Sequence, residues 1–90
     1  MPEKKLAEAL NDLHADLADA QKVDGETREQ LKTLMQDIQR ILDKPEDTDQ
    51  ATVEPVINNL NSMLLKLETD HPYTAGLLNR MAESLANLGI

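Results

Sequence analysis

The chain has 90 residues and carries 17 Asp and Glu against 9 Lys and Arg, which gives a formal net charge of −8 at pH 7. It contains no Cys, so disulfide bonds, cysteine zinc sites and a thiol nucleophile are excluded. This length allows one domain at most, and the acidic balance argues against direct binding to nucleic acid or to an anionic membrane.

The sequence predicts a soluble cytoplasmic protein. Two lysines near the start are not followed by an apolar segment, so no signal peptide is expected. The longest uninterrupted apolar run is Met63-Leu64-Leu65, far short of the roughly 20 residues that a membrane-spanning helix requires.

The first helix is predicted over 2–21. Leu6, Leu10, Leu13 and Leu17 recur at spacings of four, three and four residues, which places them on one face of a helix. The sequence Val-Asp-Gly at 23–25 then predicts a break.

The second helix is predicted over 25–43, with Asp24 as its N-cap. Pro45 disfavours helical geometry at Lys44, so the helix is expected to end near Asp43. Its apolar stripe is Leu31, Leu34, Met35, Ile38, Ile41 and Leu42. The acidic segment 44–51 that follows is predicted to be a loop.

The third helix is predicted over 52–69. Thr52 is the expected N-cap, because this start places Pro55 in the first turn, where its missing N–H is tolerated. The stripe of this helix is Val53, Val56, Ile57, Leu60, Met63, Leu64 and Leu67.

The fourth helix is predicted over 71–88, with Asp70 or His71 as its cap and Pro72 in its first turn. One alternative stays open, because a heptad register counted from Val53 runs through to residue 88 without a phase slip. One long helix kinked at Pro72 would show the same pattern. Gly76, early in this segment, favours close approach of a neighbouring helix.

No segment alternates as a strand does, so the predicted fold is all-α: a small antiparallel helical bundle of three to four helices. The wide leucine stripes and the absence of large aromatic core residues favour burial against a second chain, so we predict a homo-oligomer. The residues assigned to this interaction are Leu60, Leu64, Leu67, His71, Tyr73, Leu78, Met81 and Leu85.

No catalytic residue, cofactor or metal site is predicted. Asp12, His14 and Asp16 suggest metal ligands, but one helix cannot gather all three on one side, so we interpret them as a solvated acidic face. The acidic loop at 43–49 lacks the glycine and the terminal glutamate of a calcium-binding EF-hand loop. Ser62 and Ser84, the two serines, have no His–Asp partners by spacing.

His71 precedes Pro72 in the sequence, and it could sense pH in the physiological range or serve only to cap a helix. We interpret it as a capping or packing residue. Tyr73 follows, and its ring is expected to cover the joint between the last two helical segments.

Three functions remain under consideration. The first is a non-catalytic, self-associating module for protein–protein interaction with an unidentified protein partner. The second is an acidic decoy or accessory partner of a basic nucleic-acid-binding protein, because residues 46–90 carry 7 acidic against 2 basic residues. The third is a helical bundle that binds a small ligand or a metal ion and is stabilised by it.

Four local sequences together are distinctive: Met-Pro-Glu-Lys-Lys-Leu at 1–6, Asp-Ile-Gln-Arg-Ile-Leu at 37–42, His-Pro at 71–72 and Leu-Ala-Asn-Leu-Gly-Ile at 85–90. Through them the sequence resembles a family of small bacterial proteins described as domain of unknown function 4404. This resemblance implies an all-helical cytoplasmic bacterial protein without an established reaction. A label that links some relatives to chromosome partitioning implies at most an accessory role, because this chain has no phosphate-binding loop.

Overall fold

The computed structural model describes residues 2–18, 23–44, 46 and 49–88. The described chain forms four helices and contains no strand, which confirms the predicted all-α bundle. The helices are α1 (Pro2–Leu17), α2 (Gly25–Asp43), α3 (Gln50–Leu67) and α4 (Pro72–Leu88).

Consecutive helices run in opposite directions. The Thr74 hydroxyl at the start of α4 donates a hydrogen bond to the Asp16 carboxylate at the end of α1. Asp24, at the start of α2, lies close enough to Lys66 and His71, near the end of α3 and the start of α4, to feel their charges. One end of the bundle therefore collects the end of α1, the start of α2, the end of α3 and the start of α4.

The apolar stripes of all four helices meet in one core. Each stripe is buried because its three- and four-residue spacing keeps the apolar side chains on the face that points to the other helices. The largest fully buried apolar side chains are Leu6, Leu13, Leu31, Ile38, Val53, Leu60, Leu77, Leu78, Met81 and Leu85. The bundle measures 36 by 21 by 20 Å.

Helices α2 and α4 each pack against both α1 and α3, but at different distances. The Cα atoms of α4 come within 8 Å of those of α1 and of α3 at many positions, whereas those of α2 do so at few. Four of the buried residues of α4 are small, namely Thr74, Ala75, Ala82 and Ser84. Thr27 is the one small residue among the buried residues of α2, and the others are Leu, Met and Ile. Small side chains allow close helix approach, so side-chain size accounts for the difference.

The N-terminal caps agree with the sequence at α2 and differ at α3. The Asp24 carboxylate accepts a hydrogen bond from the Thr27 N–H at 2.7 Å, as predicted. The prediction that Thr52 caps α3 is wrong, because α3 begins at Gln50 and Asp49 accepts from the Thr52 N–H at 2.9 Å. An aspartate caps at least as well as a threonine, and the extra turn places Pro55 inside the helix.

The break between α3 and α4 is real in the structure. The helix α3 ends at Leu67, and the His71 N–H donates to the Leu67 carbonyl. The His71 carbonyl accepts from the Ala75 N–H, which makes His71 the N-cap residue of α4 and Pro72 its first helical residue. The expected close approach at Gly76 is wrong, because a Cβ at this position would have no neighbouring atom within 4 Å.

Two predicted helix boundaries are not matched by the structure: one differs from it, and the other extends outside the described residues. The helix α1 ends at Leu17, with Ala18 in a turn, and the predicted extension over 19–21 lies outside the described residues. Residues 50 and 51, predicted to be loop, are the first residues of α3.

Candidate functional site

Most residues predicted to contact a second chain are part of the core of one chain. Leu60, Leu67, Leu78, Met81 and Leu85 are buried by the other helices of the same bundle. They therefore cannot form an accessible surface, and this part of the prediction is corrected. A helical stripe marks the side of a helix that is buried, and its spacing is the same whether the covering surface belongs to the same chain or to another.

The other three predicted contacts remain accessible and lie at one end of the bundle. Leu64 and His71 are half-buried, and the Tyr73 side chain is 58% exposed. Leu65 is 71% exposed. It falls outside the apolar stripe of α3 and is not among the residues predicted to contact a second chain. These four residues flank the connection between α3 and α4, and we call them the α3–α4 corner.

A shallow depression of about 240 Å³ lies beside the α3–α4 corner. Its surface is mainly apolar, and Ala75 and Gly76 contribute little side-chain bulk to it. The residues that line it are Leu64, Glu68, Pro72, Ala75, Gly76 and Asn79.

Two N-terminal helix caps, which lie at opposite ends of the bundle, lower the pKa of their aspartates. The hydrogen bond from the Thr27 backbone N–H lowers the pKa of the Asp24 carboxyl, and the nearby charges of Lys66 and His71 lower it further. The hydrogen bond from the Thr52 backbone N–H lowers the pKa of Asp49 in the same way. Both carboxylates thus stay ionised in mildly acidic solution, where they continue to accept these hydrogen bonds.

Two grooves lie on opposite flanks of α2, as its wider spacing from α1 and α3 leads one to expect. The α2–α3 groove has a volume of about 370 Å³. Its lining is neutral except for Asp37, which pairs with the exposed Arg40 at 3.1 Å. The residues along it are Gln30, Thr33, Leu34, Asp37, Asn59, Ser62 and Met63.

The α1–α2 groove has a volume of about 400 Å³ and a different chemistry. Three of its described lining residues have basic side chains, namely His14 from α1 and Arg28 and Lys32 from α2. None of its described lining residues is acidic. This groove is not predicted from the sequence, because His14 is interpreted there only as part of a solvated face beside the leucine stripe.

Comparison with known proteins places the chain in a family. The family model described as domain of unknown function DUF4404 matches residues 6–90. The chain belongs to this family. No curated protein and no solved structure matches the chain. The match confirms the resemblance seen in the sequence and extends over almost the whole bundle of this DUF4404 protein.

The Asp12, His14 and Asp16 group of this DUF4404 protein is not gathered into a cluster. Asp16 is engaged by the Thr74 hydroxyl of α4, while His14 lines the α1–α2 groove. Among residues 2–18, 23–44, 46 and 49–88, no three His, Asp or Glu side chains converge as metal ligands would. Within the same ranges, no helix has the length and hydropathy needed to cross a bilayer.

Proposed function

We propose that this DUF4404 protein is a non-catalytic helical module for protein–protein interaction and that it self-associates through the α3–α4 corner. The observation that supports this proposal is the exposure of two large apolar side chains at the corner. Leu65 and Tyr73 are the large apolar residues left exposed among the described residues. Both flank the short connection between α3 and α4, and exposed apolar groups in one region of a surface are typical of contact sites.

The corner suits a contact between two copies of the same chain. In a two-fold symmetric contact, the same patch faces itself, so each apolar side chain can be covered by its counterpart. Lys66 and Glu68 lie on either side of the end of α3, and both are exposed. Across a two-fold axis, Lys66 of one copy can pair with Glu68 of the other, which limits repulsion between two acidic chains.

The surroundings of the two serines, as far as the structure describes them, support a non-catalytic role. Ser62 lines the α2–α3 groove, whose described lining residues include no histidine. Ser84 is buried in α4. Within residues 2–18, 23–44, 46 and 49–88, no hydrogen bond joins either serine to a base that would activate it as a nucleophile.

Sedimentation velocity and light scattering over a range of concentrations test the self-association. We expect the mass to rise from the 10.0 kDa of one chain towards twice that value. The double substitution Leu65→Glu and Tyr73→Glu adds two charges to the corner and should keep the chain monomeric. Both positions are exposed, so the helical circular dichroism signal should persist.

The matched control is Ala86→Glu, which adds a negative charge at an exposed position near the other end of α4. This variant should associate as the unmodified chain does. A 10.0 kDa species for the unmodified chain at high micromolar concentration would rule out the proposal. Equal association of the control and the double variant would rule out the corner as the contact.

A further inference from the structure

The α1–α2 groove concentrates positive charge on a strongly acidic protein. His14, Arg28 and Lys32 line it together with the amide side chains of Gln36 and Gln39, and none of its described lining residues carries a carboxylate. The whole chain has about two acidic residues for each basic one, with 17 against 9. Among the described residues, this groove therefore carries a local excess of cations and hydrogen-bond donors over the rest of the chain.

Arg28 has an unmet hydrogen bond in the structure. Its Nη1 atom is buried, and no described residue accepts a hydrogen bond from it. A buried donor without an acceptor is destabilising, most of all in a charged group. Arg28 also lies in the first turn of α2, where the helix dipole disfavours a cation. An anion against the accessible part of the guanidinium would offset the charge of Arg28.

The other groups of the groove do not already supply this anion. Lys32 lies 3.8 Å from the Glu29 carboxylate, but both side chains are well exposed, so this pair is weak. The end of α1 borders the groove and favours cations there, yet none of its described carbonyl groups accepts from Arg28 Nη1. Gln39 donates to Asp43 at 3.0 Å, at the far end of the lining.

The groove also offers an apolar surface. Leu17 and Met35 line it and are largely buried, and Ala18 adds a small side chain. Its volume falls in the range of small-molecule sites, which combine an apolar surface with a few polar groups that fix the ligand's orientation. A planar guanidinium is suited to a carboxylate, with which it can form two parallel hydrogen bonds.

We propose that the α1–α2 groove binds a small organic carboxylate with an apolar tail. The carboxylate contacts the Arg28 guanidinium, with Lys32 adding positive charge and His14 offering a ring N–H donor, and the tail lies on Leu17 and Met35. This groove and the α3–α4 corner share no described residue, so ligand binding and self-association can succeed or fail independently.

NMR titrations test the proposal. The backbone amide signals of the full chain are followed as octanoate, acetate or octanol is added. Acetate carries the charge without the tail, and octanol carries the tail without the charge. Octanoate should shift the signals of residues 14–18 and 28–39, and each of the other two should bind at least about tenfold more weakly. Equal binding of octanol and octanoate would show an apolar groove without an anion site and would overturn the proposal.

Substitutions on α2 test the role of the guanidinium. Arg28→Gln should weaken octanoate binding about tenfold, which corresponds to about 1.4 kcal/mol. The matched control is Arg40→Gln on the same helix, whose side chain pairs with Asp37 outside the groove. It should leave the affinity within about twofold. Unchanged binding by Arg28→Gln, or equal loss in both variants, contradicts the proposed contact.

A pair of substitutions on α1 keeps every basic residue in place. Ala18→Glu introduces a carboxylate at an exposed position that lines the groove, and it should abolish octanoate binding. Ala15→Glu adds the same charge at an exposed position that does not line the groove and should bind octanoate normally. Absence of saturable shifts in the unmodified chain up to about 10 mM octanoate overturns the proposal.

Discussion

The helices α2 and α4 occupy equivalent places in the bundle, each between α1 and α3, yet they close it in different ways. The α4 side is packed closely by small buried residues, with Ala75, Ala82 and Ser84 among them, and the described depression on this side is the smaller one of about 240 Å³ at the α3–α4 corner. The α2 side is held apart by leucine, methionine and isoleucine, and it has a groove along each flank.

This difference shows that a stripe of large apolar residues buries a helix without sealing its edges. Large side chains reach the core from a greater distance, and the space between the helix flanks then remains open to solvent. Small residues at the contact have the opposite effect, since the helix axes come closer and the flanks meet. Grooves that can hold a ligand therefore lie beside the helix with the larger buried side chains.

The largest expected effect is on the free energy of unfolding, when a leucine on each side of the bundle is replaced by alanine. Leu78 is fully buried in α4, and its replacement by alanine should lower the free energy of unfolding by about 4 kcal/mol, because the closed side cannot relax into the cavity. Leu34 lines the α2–α3 groove, and the same change there should lower it by about 2 kcal/mol. Urea unfolding measures both values, and an equal or larger loss for Leu34→Ala would contradict the comparison.

Ser62 and Ser84 allow the opposite test, in which side-chain bulk is added instead of removed. Ser84→Leu adds bulk to the closed side and should lower the free energy of unfolding by about 2 kcal/mol through overpacking. Ser62→Leu adds the same bulk beside the α2–α3 groove and should change it by no more than about 0.5 kcal/mol, since there is room for the side chain. Thermal and urea unfolding of both variants check this. Equal losses would mean that the two sides are packed alike.

A smaller effect is expected where α4 is tied to α1. Thr74→Val removes the hydroxyl that donates to Asp16, and it should lower the free energy of unfolding by about 1 kcal/mol while keeping the shape of the side chain. The control is Thr33→Val on α2, whose hydroxyl bonds only to the Glu29 carbonyl of its own helix. This control should stay within about 0.5 kcal/mol of the unmodified chain in urea unfolding.

The smallest expected effect is a loss of stability at acidic pH. It should come from the N-terminal caps of α2 and α3 and not from that of α4. The pKa of Asp24 and of Asp49 is lowered by the capping hydrogen bonds, whereas His71 caps α4 through its backbone carbonyl. The pKa of an aspartate in the unfolded chain is about 3.9. The stabilisation is therefore fully present above this value and is lost as the pH falls through the lower pKa of the folded state.

Melting temperatures at neutral pH and near pH 3 check this prediction. Asp24→Asn and Asp49→Asn keep a side-chain acceptor but remove the titrating group, so the decrease in melting temperature on acidification should be smaller than in the unmodified chain. Glu8→Gln removes an exposed carboxylate of α1 and should leave the decrease unchanged. An identical decrease in all four proteins would exclude the caps as the source of acid sensitivity.

The helices could be predicted because local physics determines them. The stripe from Leu6 to Leu17, the Asp24 cap and the break before Pro72 depend on residues within a few positions of one another. The start of α3 was harder to predict, since Asp49 and Thr52 are both good caps and only the final packing decides between them. In addition, a proline in the second turn of a helix removes a single hydrogen bond, which the buried stripe outweighs.

The candidate sites could not be predicted in the same way. Whether Leu78 and Met81 face their own bundle or another chain depends on how four stripes fit together, and this fit is absent from the spacing along one helix. The α1–α2 groove depends on the separation between α1 and α2, which follows from the sizes of residues far apart in the chain. Arg28 carries no signal in the sequence, because its unsatisfied nitrogen is a property of the assembled structure.

Tyr73 gives the molecule an unusual optical property. It is the one aromatic residue of the chain, so near-ultraviolet absorbance and intrinsic fluorescence come from a single phenol ring. The ring is largely outside the core, and unfolding changes its surroundings little. Its emission is therefore a poor reporter of denaturation but a sensitive one of any molecule that covers the start of α4.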